Sequence, residues 1–125
     1  MYKLEHACIR VFDLEKSQKF YEDALGLEVV KRKDFEEQKF TLVYMSDKNR
    51  NFEIELTYNY NPKEPYNLGN GFSHFAVITP DIKASRERHL ELGIECTPTK
   101  SLGAGFASFY FISDPDGYKI EVIER

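Results

Sequence analysis

Residues 4–29, LEHACIRVFDLEKSQKFYEDALGLEV, read almost in step with residues 71–96, GFSHFAVITPDIKASRERHLELGIEC. His6 answers to His74, Asp13 to Asp81 and Ser17 to Ser85, each 68 positions later. After a one-residue gap, Leu25, Gly26 and Glu28 answer to Leu92, Gly93 and Glu95 at a spacing of 67. The ends of the two copies agree as well. SDKNRNFEIEL (46–56) stands beside SDPDGYKIEV (113–122), and Ile54 and Glu55 meet Ile120 and Glu121 at a spacing of 66. Four matched elements in one order make an internal duplication.

Each copy reads strand, helix, then three strands, an α+β arrangement of two βαβββ repeats. Alternation and β-branched content predict a strand over 3–12. Asp13 as N-cap and Gly26 just past the end bracket a helix near 14–25, with Leu14, Phe20 or Tyr21, and Ala24 or Leu25 facing inward. Strands follow near 27–33, 38–46 and 52–59. The stretch NPKEPYNLGNG (61–71) has two Pro and two Gly and no periodicity, so it links modules of about 1–60 and 72–125 within a single domain. The second module repeats the plan: a strand over 72–79, N-cap Asp81, a helix over 82–92, and strands near 94–97, 106–112 and 118–124. SDPDGY (113–118) is a turn.

With 125 residues, 42% hydrophobic and 30% charged, the chain has the balance of one folded domain rather than a disordered one. A formal charge of −4 offers no basic surface for nucleic acid. No apolar run approaches the roughly 18 residues of a membrane helix, and MYKLEHACIR shows no signal-peptide pattern. Cys8 and Cys96 are too few for a disulfide framework, which places the protein in a reducing, cytoplasmic setting.

Side chains alternate across a strand, so residues i, i+2 and i+4 share a face. His6, Cys8 and Arg10 oppose Ala7, Ile9 and Val11; Glu53, Glu55, Thr57 and Asn59 oppose Phe52, Ile54, Leu56 and Tyr58. In the second copy His74 and Ala76 share one face, and Lys119, Glu121 and Ile123 oppose Tyr118, Ile120 and Val122. If the apolar faces pack on the helices, the others line the concave side of a curved sheet. His6, Glu55, His74 and Glu121 then fall on that side at equivalent places in the two copies. A carboxylate in such a position is costly unless paired or bound to a metal. Neutral imidazole and carboxylate together suit divalent Ni, Co, Zn or Fe. The spacings of 49, 19 and 47 between these four match no local chelate pattern, so the repeat carries the signal rather than the string.

The segments LEHACIRVFDLEKSQKFYEDALGLEVV, IELTYN (54–59), GFSHFAV (71–77) and DPDGYKIEVIE (114–124) resemble the vicinal-oxygen-chelate superfamily over essentially the whole chain, and within it glyoxalase I (lactoylglutathione lyase) of the short bacterial type. The resemblance implies curved, barrel-like mixed sheets. It also implies that His6, Glu55, His74 and Glu121 ligate a divalent metal, nickel first, cobalt next and zinc least. His6 and Glu55 would come from one subunit of a homodimer and His74 and Glu121 from the other. The implied reaction is isomerisation of the methylglyoxal–glutathione hemithioacetal to S-lactoylglutathione through an enediolate, with Glu121 as principal base and Glu55 assisting. Arg10 and Asn59 would hold the γ-glutamyl end of the thiol. Family members often carry a basic residue before the strand leading to DPDG. This chain has no Lys or Arg over 101–112, which leaves Lys100 as the nearest candidate and the identity of the thiol open.

An extradiol dioxygenase, a thiol transferase or an acyl-CoA epimerase on the same scaffold is the alternative, as is a non-catalytic small-molecule-binding protein. Glu55, filling a fourth ligand place, speaks against the dioxygenase. Among the remaining residues, Cys8 lies between His6 and Arg10, where it either touches the site or, the reading preferred here, serves as a small core filler, and His89 reads as a packing residue of the second helix, not a ligand. Gly103, Ala104 and Gly105 read as a flap. KRKDFEEQK (31–39) reads as a solvated edge.

Overall fold

A computed structural model describes all of residues 1–125. The elements are β1 (His6–Arg10), α1 (Leu14–Leu25), β2 (Glu28–Phe35), β3 (Phe40–Ser46), β4 (Glu53–Asn59), β5 (His74–Thr79), α2 (Ile82–Glu91), β6 (Lys100–Ser101), β7 (Ser108–Ser113) and β8 (Lys119–Glu124). They form two compact units, Met1–Asn67 and Leu68–Arg125, and the division falls inside the Pro- and Gly-bearing stretch 61–71.

In the first unit the sheet order is β1-β4-β3-β2. β1 runs parallel to β4, and the other two pairings are antiparallel. α1 starts where the sequence places it. The Asp13 carboxylate accepts the Lys16 N–H at 3.1 Å and satisfies one of the donors that a helix start leaves unpaired. The helix stops at Gly26, whose φ of 67° lies in the left-handed region and turns the following Leu27 N–H back onto the Tyr21 carbonyl at 3.1 Å. Leu14, Ser17, Tyr21 and Ala24 recur at helical spacing and are buried. They lie over the apolar face of the sheet, where Ile9, Val43, Met45, Ile54 and Leu56 form the core.

The second unit repeats the plan with order β5-β8-β7-β6, β5 parallel to β8. Its core is Tyr110, Ile112, Ile120 and Val122. The strand expected at 94–97 is absent. A single bridge joins Cys96 to Ile112, and the fourth strand is instead the two-residue β6 at 100–101. Thr97 explains the interruption, because its hydroxyl takes the Phe111 N–H at 2.8 Å that a continuous ladder would have used. The SDPDGY turn forms as read: the Asp114 carboxylate accepts the N–H groups of Asp116 and Tyr118, each at 2.9 Å. No helix is long and apolar enough to cross a membrane.

α2 carries a polar cluster into the core. The Tyr110 hydroxyl lies 2.7 Å from both Ser85 Oγ and His89 Nδ1, and His89 is only 2% exposed. His89 is thus a satisfied core histidine. Replacing Tyr110 with Phe removes the hydroxyl shared by the buried His89 and the half-buried Ser85, and we expect a loss of about 1–3 kcal/mol in unfolding free energy, measured by urea denaturation.

Candidate metal centre

Glu55 sits in the middle of β4, in register with Cys8 on β1 and Tyr44 on β3. His6 leads β1, two residues before Cys8 and on the same face. Its Nε2 lies 3.3 Å from Glu55 Oε2. The Nδ1 side of the ring is taken up by the Glu5 carboxylate, and the ring edge rests on Tyr44 with centroids 5.6 Å apart.

The second unit builds the same pair. Glu121 on β8 is in register with Ala76 on β5 and Phe111 on β7. His74 Nε2 lies 3.4 Å from Glu121 Oε1. His74 Nδ1 is 2.7 Å from Ser73 Oγ, and its ring edge meets Phe111 at 5.1 Å. In both units the residue just before the histidine engages Nδ1, so Nε2 is the nitrogen presented beside the carboxylate. That is the orientation a metal-bound histidine needs.

The donor set fits a divalent cation. Two donors each about 2.1 Å from one ion lie about 3.0–3.4 Å apart, depending on whether the angle is octahedral or tetrahedral. The observed separations of 3.3 and 3.4 Å match. Each unit supplies a pair, and no group of three or more His, Cys, Asp or Glu side chains is placed to hold an ion.

Residues 3–122 match the profile of the Glyoxalase/Bleomycin resistance protein/Dioxygenase superfamily. The chain belongs to this superfamily. Among its relatives is the lactoylglutathione lyase of Neisseria meningitidis, 39% identical over 129 residues that cover 98% of this chain and 91% of the relative. The probable lactoylglutathione lyase of Synechocystis is 39% identical over 127 residues, covering 97% and 94%. Among solved structures, the trypanothione-dependent glyoxalase I of Leishmania major superposes with a TM-score of 0.85 at 32% identity, covering 99% of this chain and 87% of that one. The chain is therefore a glyoxalase-superfamily enzyme of the lactoylglutathione lyase type.

Around Glu55 the first unit holds more than its sequence announces. Cys8 is not a core filler: it is exposed, and its Sγ lies 3.1 Å from Thr57 Oγ1. The reason is its face, which is shared with His6 and Arg10 and looks away from α1. Thr57 Oγ1 in turn donates to Glu55 Oε1 at 2.9 Å. Burial opposes ionisation of Glu55, but hydrogen bonds from Tyr44, Cys8 and Thr57 and the nearby His6 outweigh it and hold the carboxyl below its ordinary value. The same contact pushes the Tyr44 phenol up to about 12. Burial pushes the Cys8 thiol up as well, so it stays protonated and can donate. Sequence spacing alone could have found Thr57, which is two residues from Glu55 on one strand. Tyr44 needed the β3–β4 register.

The candidate thiol-binding residues are placed as follows. Arg10 ends β1 and is exposed, in register with Thr57. Asn59 ends β4, exposed, and its amide donates to the Tyr66 hydroxyl at 3.2 Å. These two lie in the first unit. Lys100 lies in the second, exposed on the short β6 opposite Phe109. Gly103 and Gly105 form a solvent-facing turn after it, tied by Ser101 Oγ to the Gly103 and Phe106 carbonyls. A separate cavity of about 760 Å³ in the first unit is walled by Phe12, Arg32, Asp34, Thr41, Tyr58 and Tyr60. Neither His6 nor Glu55 lines it, so it is not the metal centre.

Proposed function

We propose that this enzyme isomerises the hemithioacetal of methylglyoxal and glutathione to S-lactoylglutathione. The observation that carries the reading is the pair of His–Glu contacts at equivalent register positions, His6–Glu55 at 3.3 Å and His74–Glu121 at 3.4 Å. The likeness to lactoylglutathione lyases over nearly the full chain supports it.

Two such pairs would supply four donors to one divalent cation and leave places for water or substrate oxygens. We assign the cation as Ni²⁺, with Co²⁺ next and Zn²⁺ least suited, held by His6 and Glu55 of one subunit and His74 and Glu121 of its partner in a two-fold homodimer. When bound, such an ion supplies Lewis-acid stabilisation of negative charge developing on substrate oxygen. Glu121 takes the proton from the carbon that bears sulfur and returns it to the neighbouring carbonyl carbon, while the hydroxyl proton of the first carbon passes to the oxygen of the second, so no net proton is lost. Glu55 stays ionised on the other side, where its charge would offset part of that of the cation. Arg10 and Asn59 grip the γ-glutamyl carboxylate and amine, the Arg fork being suited to a carboxylate. Lys100, the nearest cation in sequence to the loop before β7, is assigned to the opposite end of the thiol.

The test mixes Ni²⁺- or Co²⁺-loaded protein with methylglyoxal and glutathione and follows thioester formation, with other low-molecular-weight thiols in parallel. Thioester formation with glutathione is expected. Thioester formation only with another thiol keeps the isomerase and changes the substrate. Metal-loaded protein that turns over no thiol adduct overturns the reading.

A further inference from the structure

The duplication that produced two His–Glu pairs did not produce two equal surroundings. Glu55 is flanked by Cys8 on β1, Tyr44 on β3 and, two residues along its own strand, Thr57. Glu121 is flanked by Ala76, Phe111 and Ile123 at the corresponding places. The spacings are 68, 67 and 66, the same offsets that align the two copies elsewhere. Every neighbour that can donate a hydrogen bond in the first copy is replaced by an apolar one in the second.

We propose that Thr57, backed by Cys8 and Tyr44, is a positioning residue that pins Glu55 as a fixed metal ligand, so that the first-repeat half holds the cation more tightly while Glu121 is left to move. The inference rests on the metal-dependent isomerase reading above. Thr57 has a single hydroxyl proton, and it goes to Glu55 Oε1 at 2.9 Å. Cys8 Sγ lies 3.1 Å from Thr57 Oγ1, and its thiol also donates toward Glu55. The result is a short chain of polar groups, thiol, hydroxyl and carboxylate. It fixes the rotamer of Glu55 with Oε1 occupied and Oε2 turned to His6. A carboxylate held this way keeps its place whether or not an ion is present, which raises affinity. It also makes Glu55 a poor proton carrier, because swinging off the ion would break the chain. Glu121 has only His74 as a polar partner, and the apolar groups around it put up no hydrogen bond that must break when it swings. The two carboxylates thus divide the work, one anchoring and one shuttling.

The experiment measures Ni²⁺ and Co²⁺ affinity of the full chain by competition with a chromophoric chelator, without substrate. Turnover is measured separately. Thr57→Val is expected to weaken both ions by about 10–100-fold, the usual effect of losing an outer-shell partner, and Thr57→Ser to restore affinity to within a few-fold. Ile123→Thr gives Glu121 the hydroxyl it lacks. It is expected to tighten the ion and to lower kcat by about tenfold or more while KM stays close to wild type. Wild-type affinity in Thr57→Val, or unchanged kcat in Ile123→Thr, overturns the proposal. The chelator arm keeps the two readings apart: a chain that binds the ions through Thr57 yet isomerises no thiol adduct sinks the activity and leaves the clamp standing. A wild-type chain that binds neither ion sinks both.

Discussion

Glu121→Gln is expected to lower kcat by about 10²–10⁴-fold, the range that a positioned general base contributes, with the metal content and KM of the enzyme little changed. The amide has the shape of the carboxylate and keeps an oxygen toward His74, which stands 3.4 Å from Glu121 Oε1. It cannot accept a proton from carbon. The cation and the grip on the thiol are therefore preserved while the shuttle is lost. Glu55→Gln is expected to behave differently, shedding metal first, because the carboxylate there is the acceptor of the Thr57 hydrogen bond and the neighbour of His6. The measurement is thioester formation by protein whose metal stoichiometry has been determined on the same sample. A Glu121→Gln enzyme with kcat within a few-fold of wild type would remove Glu121 from the proton path.

Mixing two inactive double variants is expected to restore activity. A chain carrying His6→Ala and Glu55→Ala keeps only the second pair, and one carrying His74→Ala and Glu121→Ala keeps only the first. Neither is active alone, since each unit contributes two donors and no three side chains gather to hold an ion. If a site draws one pair from each subunit, a mixed dimer contains one intact site and one with no ligands. Random pairing at equal concentration then recovers about a quarter of the wild-type site count. Activity rising from near zero to that level after unfolding and refolding the mixture is the expected result. A mixture that stays inactive, with mixed dimers shown by native mass spectrometry, would place both pairs of a working site in the same chain.

Most of the architecture could be read from residue order, for reasons that are local. Asp13 and Asp81 cap helices because a short acceptor before an amphipathic run leaves the backbone few better options, and both caps form. The positions of His6, Glu55, His74 and Glu121 follow from the two-residue period of strands and from the repeat, and the structure pairs them within their own copies. The failures came where a side chain competes with the ladder or where cross-strand register matters. Thr97 takes a backbone N–H and cuts short the strand expected at 94–97. Cys8 looked like filler because a lone thiol between alternating residues carries no signal of its partner, and Thr57 lies 49 residues away. Leu92, the last residue of the helix expected over 82–92, is 46% exposed because α2 ends at Glu91 and the chain turns away through Gly93.

The parallel pairing of β1 with β4 sets an order of events in time. β2, β3 and β4 are joined by short connections and can zip from turn to turn. β1 meets β4 only across a long loop, with His6 opposite Glu53, 47 positions away. Closing that loop costs chain entropy before any contact repays it, so the strand bearing His6 docks late. If His6 and Glu55 ligate the cation as proposed, a partly folded chain displays Glu55 without its imidazole and has little hold on an ion. Cation capture is thereby reserved for molecules that have finished folding, and a captured cation in turn resists the undocking with which unfolding would begin.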